Sequence, residues 1–481
     1  MPLGRAPVHA LSRRLGGLAL AAAAAAGAAA SAATGLPPEV AHALQRARVP
    51  ADAVSVVVQE AGSGAPVLQL NAREAVNPAS LTKLLTTFAA FDLLGPAWTW
   101  RTGVWLDGSV RDGVLDGALV IRASGDPTLT IERVWLLLER VRQLGVREIR
   151  GDIVTDRSAF AEPQGTPADF DGEWLRPYNV QPDALLLNYK AVTYRFVPDA
   201  ARGVARVAAE PALDGLAVDP EVPLADGPCG DWRAALKASL DDPQRARFAG
   251  SFAAGCGERA WPVAYADPAS YNARLLRALW RAGGGRLGGG VRDGAAPARA
   301  PTFEFESPPL AAVVREINKH SNNVMAQQLF LTLAVQPGQP ATPAAARDVL
   351  MRWAADRFGE PEGVFRLDNG SGLSRETRLT AQSLARLLQI AWSSAVMSEL
   401  MSSLPASGLD GTLKRSRTAP GRAHLKTGSL RDVAAVAGYV LGASGRRYVL
   451  VCVVQHPNAG AARPAIDALV DWVLGDAARR D

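Results

Sequence analysis

A chain of 481 residues, 48% hydrophobic and 21% charged, has the composition of a globular protein with two to four domains and an ample core. Its net charge of +5 includes Arg5, Arg13 and Arg14 at the extreme N-terminus. No basic stripe with interleaved aromatics follows them, which argues against nucleic acid as a partner. Cys229, Cys256, Cys452 and the scattered histidines have no metal-ligand spacing.

Residues 1–33 read as a secretory signal. The three arginines form the charged region, Leu15 to Ala30 the apolar region, and Ala30-Ser31-Ala32 a small-residue cleavage site. No Cys lies near that site, so a lipoprotein is not expected. The apolar run is short and Ala-dominated for a membrane span. The mature chain is therefore expected to be soluble and outside the cytoplasm. In an oxidising compartment Cys229 and Cys256, both in Gly-rich loop sequence, can pair. Cys452 sits in a β-branched run and reads as a buried thiol.

Ala53 to Gln59 and Pro66 to Leu70 read as a hairpin across Gly62-Ser63-Gly64. Asn77-Pro78-Ala79-Ser80-Leu81-Thr82-Lys83 then opens an apolar helix that Gly95-Pro96 stops, with Asn77 as its cap. From Trp100 to Ile121 short strands with Gly turns are expected, then a helix over Glu132 to Leu144 and a strand over Ile149 to Thr155. Residues 166–260 are rich in Pro, Gly and Asp, and read as a small β-rich module inserted inside this second one. A helix returns at Ser270 to Arg281. Residues 291–307 read as a Pro/Ala linker. Helical periodicity resumes at Leu310 and continues beyond Ser321-Asn322-Asn323, with further helices at Ala344 to Phe358 and Ala381 to Ser394. Three antiparallel strands follow, from Leu425, Val433 and Arg447, and a helix over Pro464 to Leu474 closes the chain.

Ser80 and Lys83 lie three residues apart, on one helical face. The positive end of the helix dipole and burial both disfavour an ammonium there, and a neutral amine beside a hydroxyl is a nucleophile with its base. Lysine is rare in this Arg-rich chain (Lys83, Lys190, Lys237, Lys319, Lys414 and Lys426 only), and arginine cannot give up its proton. Alone, Ser-x-x-Lys is common on solvated helix faces. Here a Ser-x-Asn, Ser321 and Asn323, follows between helices, and Lys426-Thr427-Gly428 opens a strand near the C-terminus. That ordered set is the signature of penicillin-binding proteins and serine β-lactamases.

The long insert between the first two motifs narrows the likeness. So do Ser124-Gly125-Asp126-Pro127-Thr128-Leu129, Asp368-Asn369-Gly370-Ser371-Gly372-Leu373-Ser374-Arg375, and Gly411-Thr412-Leu413 before Lys426-Thr427-Gly428-Ser429-Leu430. With these, the chain resembles the D-alanyl-D-alanine carboxypeptidase/endopeptidase family, the class C low-molecular-mass penicillin-binding proteins. The resemblance implies an α/β (α+β) fold: a transpeptidase-like domain with an antiparallel sheet flanked by helices, over residues 34–98 and 300–481. An inserted α/β domain would span 99–165 and 261–299, with a nested β-rich domain over 166–260. It implies a periplasmic serine DD-peptidase acting on peptidoglycan stem peptides, acylated by β-lactams, with no metal or organic cofactor. Ser80 would be the nucleophile, Lys83 its base, Ser321 the proton relay and Asn323 a substrate and lysine anchor. Lys426 and Thr427 would take the terminal carboxylate. Gly428 would admit the substrate backbone, and the Ser80 and Ser429 amides would form the oxyanion hole. Arg375 is a candidate for an acidic group on the stem peptide, against the reading of a plain surface arginine. A β-lactamase or esterase on the same fold, and a non-catalytic wall-binding protein, are the alternatives. Asn322 and Gln327 stand where acids are frequent in that family, and Ser429 where Thr is usual; none removes a chemical role.

Overall fold

The computed structural model describes residues 35–359 and 365–476; the expected secretory signal lies outside the described residues. A five-stranded antiparallel sheet carries the site. Its order is Ala423–Leu430, Val433–Leu441, Arg447–Gln455, Val54–Glu60, Pro66–Leu70. The strands from Val54, Val433 and Arg447 are apolar along almost their whole length because both faces are covered. Val56, Val58, Val436, Leu450 and Cys452 pack beneath the helices Pro38–Ala47 and Arg463–Leu474. Val57, Ala435, Ala437, Val451 and Val453 face the opposite way, toward the helices Thr82–Leu94 and Ala381–Trp392. Side chains alternate across a strand, so a three-layer arrangement needs an apolar residue at every position. Cys452 is the buried thiol expected, and burial pushes it up to about 12.

The helix Thr82–Leu94 is buried from Thr82 to Phe91 on all sides. It is entered through a 3-10 turn, Ala79–Leu81. Asn77 therefore does not cap the α-helix itself. Its Oδ1 accepts from the Ala79 amide (2.9 Å) and its Nδ2 donates to the Ser374 carbonyl (2.9 Å), which fixes the turn ahead of Ser80.

The segment inserted after this helix opens with one long hairpin, Arg101–Arg111 and Val114–Arg122, in place of several short strands. Asp112 and Gly113 both have positive φ (48° and 81°), the conformation of a tight hairpin turn with the right-handed strand twist. The helix Ile131–Gln143 then crosses over to Ile153–Asp156, which runs parallel to Val114–Arg122. The single strand expected over 149–155 is two, Glu148–Ile149 and Ile153–Asp156. The expected linker over 291–307 contains sheet: Val291–Asp293 pairs with Ile153–Asp156, and Phe303–Glu306 pairs with Arg101–Arg111. The inserted sheet thus continues past the expected edge at residue 299. Inside it lie a five-stranded sheet and a three-stranded sheet drawn from residues 191–264. Cys229 and Cys256 form a disulfide there. The sequence reading does not include the helices Pro38–Ala47 and Met397–Ser403, nor the single turn Trp232–Ala235.

Candidate active site

Ser80 stands at the head of the buried helix, after Ala79, whose φ of 48° is left-handed. Lys83 follows on the same face and is wholly buried. Its Nζ has three close oxygen neighbours: Ser80 Oγ at 3.0 Å, Asn323 Oδ1 at 2.7 Å and the Ser371 carbonyl at 2.6 Å. The last two can only accept. A neutral amine donates twice and accepts once, so it satisfies both and still receives the Ser80 hydroxyl proton. Burial first, and the positive charge of Lys426 second, hold the Lys83 pKa well below its ordinary value.

The residues around Ser-x-Asn divide their labour. Ser321 ends the helix Leu310–His320 in a left-handed conformation (φ 55°). Asn322 caps the next helix, Asn323–Thr332, its side chain accepting from the Met325 amide (3.1 Å). Asn323 is left to reach Lys83. An Asn at 322 caps as an Asp would, so this departure from the family pattern costs no hydrogen bond.

The loop after Asp368 is built by Asn369. Its Oδ1 accepts from the Ser371 amide, the Ser371 hydroxyl and the Gly372 amide (2.8–3.1 Å). That turn aims the Ser371 carbonyl at Lys83. Gly372 has φ 76°, and a Cβ there would fall 1.9 Å from the Ala79 carbonyl oxygen, so the loop can press against the serine turn only with glycine.

The strand Ala423–Leu430 forms the facing wall. Lys426 is fully buried, with Nζ donating to Ser321 Oγ (2.8 Å) and to the Thr427 carbonyl (2.8 Å); burial lowers its pKa to about 7. Thr427 and Ser429 point to the other face of the strand and line the cleft. Gly428 packs against the serine turn. A Cβ on it would sit 2.9 Å from the Pro78 carbonyl and 3.3 Å from Ala79 Cβ. The glycine lets the strand approach the serine turn this closely.

Ser80, Ser321, Asn323, Thr427 and Ser429 border one cavity of about 830 Å³, with Lys83 and Lys426 buried behind its wall. Arg375 lines it too, its guanidinium 4.9 Å from the Phe170 ring centre and 3.8 Å from Asp432. Phe170, Glu173 and Tyr178 reach the cavity from the inserted segment. No sequence pattern marks those three, which lie in irregular Pro-rich chain. Ser371 and Thr412 belong to sequence motifs that give them no role, and here they adjoin the site. Arg463, which donates to Ser429 Oγ (3.3 Å), has no local signal either. Among the described residues no group of three or more His, Cys, Asp or Glu could hold a metal ion.

A serine paired with a lysine on one helix, facing a Lys-Thr-Gly strand across a Ser-x-Asn turn, defines a class of serine hydrolases that work by acyl transfer. The chain belongs to the D-Ala-D-Ala carboxypeptidase 3 (S13) family, whose model matches residues 36–474. It is 28% identical over 439 residues to a D-alanyl-D-alanine carboxypeptidase of Actinomadura sp. (strain R39), covering 85% of this chain and 79% of that one. It is 25% identical over 398 residues to the D-alanyl-D-alanine carboxypeptidase DacB of Haemophilus influenzae, covering 79% and 81%. In fold it matches the crystal structure of penicillin binding protein 4 (dacB) from Haemophilus influenzae, with a TM-score of 0.72 at 22% identity over 90% of this chain and 99% of that one. A predatory peptidoglycan endopeptidase from Bdellovibrio bacteriovorus has the fold more distantly, with a TM-score of 0.53 at 16% identity over 89% and 93% of the two chains.

Proposed function

We propose that this chain is a periplasmic serine DD-peptidase that cleaves D-Ala-D-Ala termini and D-Ala-diaminopimelate cross-links in peptidoglycan through an acyl-enzyme on Ser80. The observation that carries the reading is Lys83 Nζ at 3.0 Å from Ser80 Oγ in a wholly buried position, where burial and Lys426 hold its pKa well below the ordinary value and favour the neutral amine that can take the Ser80 proton.

In this reading Ser80 Oγ gives its proton to Lys83 and bonds to the carbonyl carbon of the scissile peptide. The oxyanion forms between the Ser80 and Ser429 amides. The C–N bond then breaks, and Ser321, hydrogen-bonded to Lys426, passes a proton to the leaving amine. Water hydrolyses the ester. Asn323 orients the substrate amide and Lys83. The Thr427 hydroxyl receives the carboxylate beside the scissile bond, in the positive potential of the buried Lys426 behind it. Gly428 serves the same site indirectly, by letting that strand close on the serine turn. Arg375, at the cavity wall with Phe170, is proposed to meet an acidic group on the stem peptide. β-Lactams carry a carboxylate and a strained amide and would acylate Ser80 the same way.

The test is labelling with fluorescent penicillin, wild type against Ser80→Ala, followed by digestion of purified muropeptides. Stable labelling of the wild type alone, with release of D-Ala or cleavage of dimers, is expected. No label, a label that survives in the mutant, or rapid turnover of the antibiotic would overturn the reading, the last in favour of a β-lactamase. Cleavage of peptides with and without the side-chain carboxylate tests Arg375: Arg375→Ala should impair the first far more.

A further inference from the structure

The turn Gly411-Thr412-Leu413 has no part in these steps, yet Thr412 stands at the cleft. Its Oγ1 lies 2.8 Å from Thr427 Oγ1, and both residues line the cavity. The turn is held from behind. Lys319 is buried, and its Nζ bonds both oxygens of Asp410 (2.6 and 2.9 Å) and the Leu404 carbonyl (2.6 Å). Asp410 Oδ1 also accepts from the Ala406 amide (2.8 Å). Gly411 has φ 55°, and a Cβ on it would lie 2.4 Å from the Lys319 carbonyl oxygen. Lys319 is two residues from Ser321, so one anchored segment sets both the Ser-x-Asn turn and the Thr412 hydroxyl.

A hydroxyl has a single proton. When Thr427 donates its proton to a carboxylate, its oxygen is left to accept, and Thr412 is the donor at hydrogen-bond distance. We propose that Thr412 is a positioning residue for the carboxylate site: it donates to Thr427 Oγ1, turns the Thr427 proton toward the cleft, and so favours substrates with a carboxylate beside the scissile bond. This rests on the DD-peptidase reading above.

The experiment compares two substrates of the same acyl group, an N-acylated D-Ala-D-Ala peptide and an acyl-D-Ala thioester whose leaving group has no carboxylate. Thr412→Val removes the donor without changing shape. It should lower kcat/KM on the peptide by roughly tenfold, mainly through KM, and lower thioester cleavage several-fold less. Thr412→Ser should restore the peptide reaction. In a Thr427→Val background, Thr412→Val should cost nothing more. Equal losses on both substrates, or no loss on the peptide, would overturn the proposal. If the valine variant does not fold, Thr412→Ala carries the same comparison. Failure of penicillin to label wild-type Ser80 would take down the DD-peptidase reading and this proposal together. A labelled wild type with no substrate discrimination at Thr412 would remove only this proposal.

Discussion

Asn323→Asp changes one atom and places a negative charge against Lys83. Asn323 Oδ1 is 2.7 Å from Lys83 Nζ, so a carboxylate there would stabilise the ammonium by at most about 6 kcal/mol at an effective dielectric of about 20, or roughly four pH units. The sign follows directly. Lys83 must be neutral to accept the Ser80 proton, so acylation rises as pH rises through the Lys83 pKa. A higher pKa moves that limb to higher pH, and the rate at a fixed pH on the limb falls by as much as about ten-thousandfold. The assay is the second-order rate of penicillin acylation against pH, with wild type, Asn323→Asp and Asn323→Ala side by side. The aspartate variant should be nearly inert at neutral pH, and its rate relative to wild type at the same pH should climb as pH rises. The alanine variant should lose rate without an upward shift of the limb. An aspartate variant with wild-type rate and an unmoved limb would refute the idea that a neutral Lys83 is the base.

Burial lowers the Lys426 pKa to about 7, so the free enzyme loses this positive charge as pH rises above that value. Capture of carboxylate-bearing substrates should then weaken about tenfold for each further pH unit, read as the alkaline limb of kcat/KM. Gly372→Ala should cost both stability and acylation, because its Cβ would meet the Ala79 carbonyl at 1.9 Å and displace the Ser371 carbonyl from Lys83. A melting temperature and labelling rate equal to wild type would contradict this. The Cys229–Cys256 bridge closes a loop across 27 positions, and replacing both residues with Ser should cost about 3.5 kcal/mol in denaturant unfolding. The active-site labelling rate should hardly change, since the bridge lies in the nested module.

The parts legible in the sequence are those whose cause is local. A Ser-x-x-Lys on an apolar helix, a Ser-x-Asn between helices and apolar strands bounded by turns carry their geometry in their spacing. Lys83 was readable as a buried lysine that needed a reason. Its carbonyl partner was not, because a backbone oxygen has no letter of its own and Ser371, whose loop Asn369 shapes, lies 288 residues away along the chain. Phe170 and Tyr178 reach the cleft only because the inserted segment folds back over it. Gly428 was readable as a required glycine. Which neighbour required it depended on the packing of its strand against Pro78 and Ala79. The helix Pro38–Ala47 has a buried stripe at Val40, Ala43, Leu44 and Ala47, a period too short to stand out directly after the apolar run of the expected signal. The linker reading of 291–307 misses two strands that are short and lie at the inserted sheet, where pairing partners at Ile153–Asp156 and Arg101–Arg111, far back along the chain, decide the conformation.

The order of strands in the main sheet carries a consequence for how the enzyme comes into being. Val54–Glu60 lies between Pro66–Leu70 and Arg447–Gln455, with Val57 opposite Val451. Only its hairpin neighbour is close in sequence; the other partner is almost the whole chain away. Closing so long a loop is slow, and the strand edge stays open while it is pending. The same late segment delivers Lys426, so the serine turn and the site for the substrate's carboxylate cannot meet before the inserted sheets have been made and set aside. A vectorially emerging chain would thus carry Ser80 from the start but have no hydrolase until its final strands dock, and a partly emerged chain should be both blind to penicillin and prone to pair its bare strand with a neighbour.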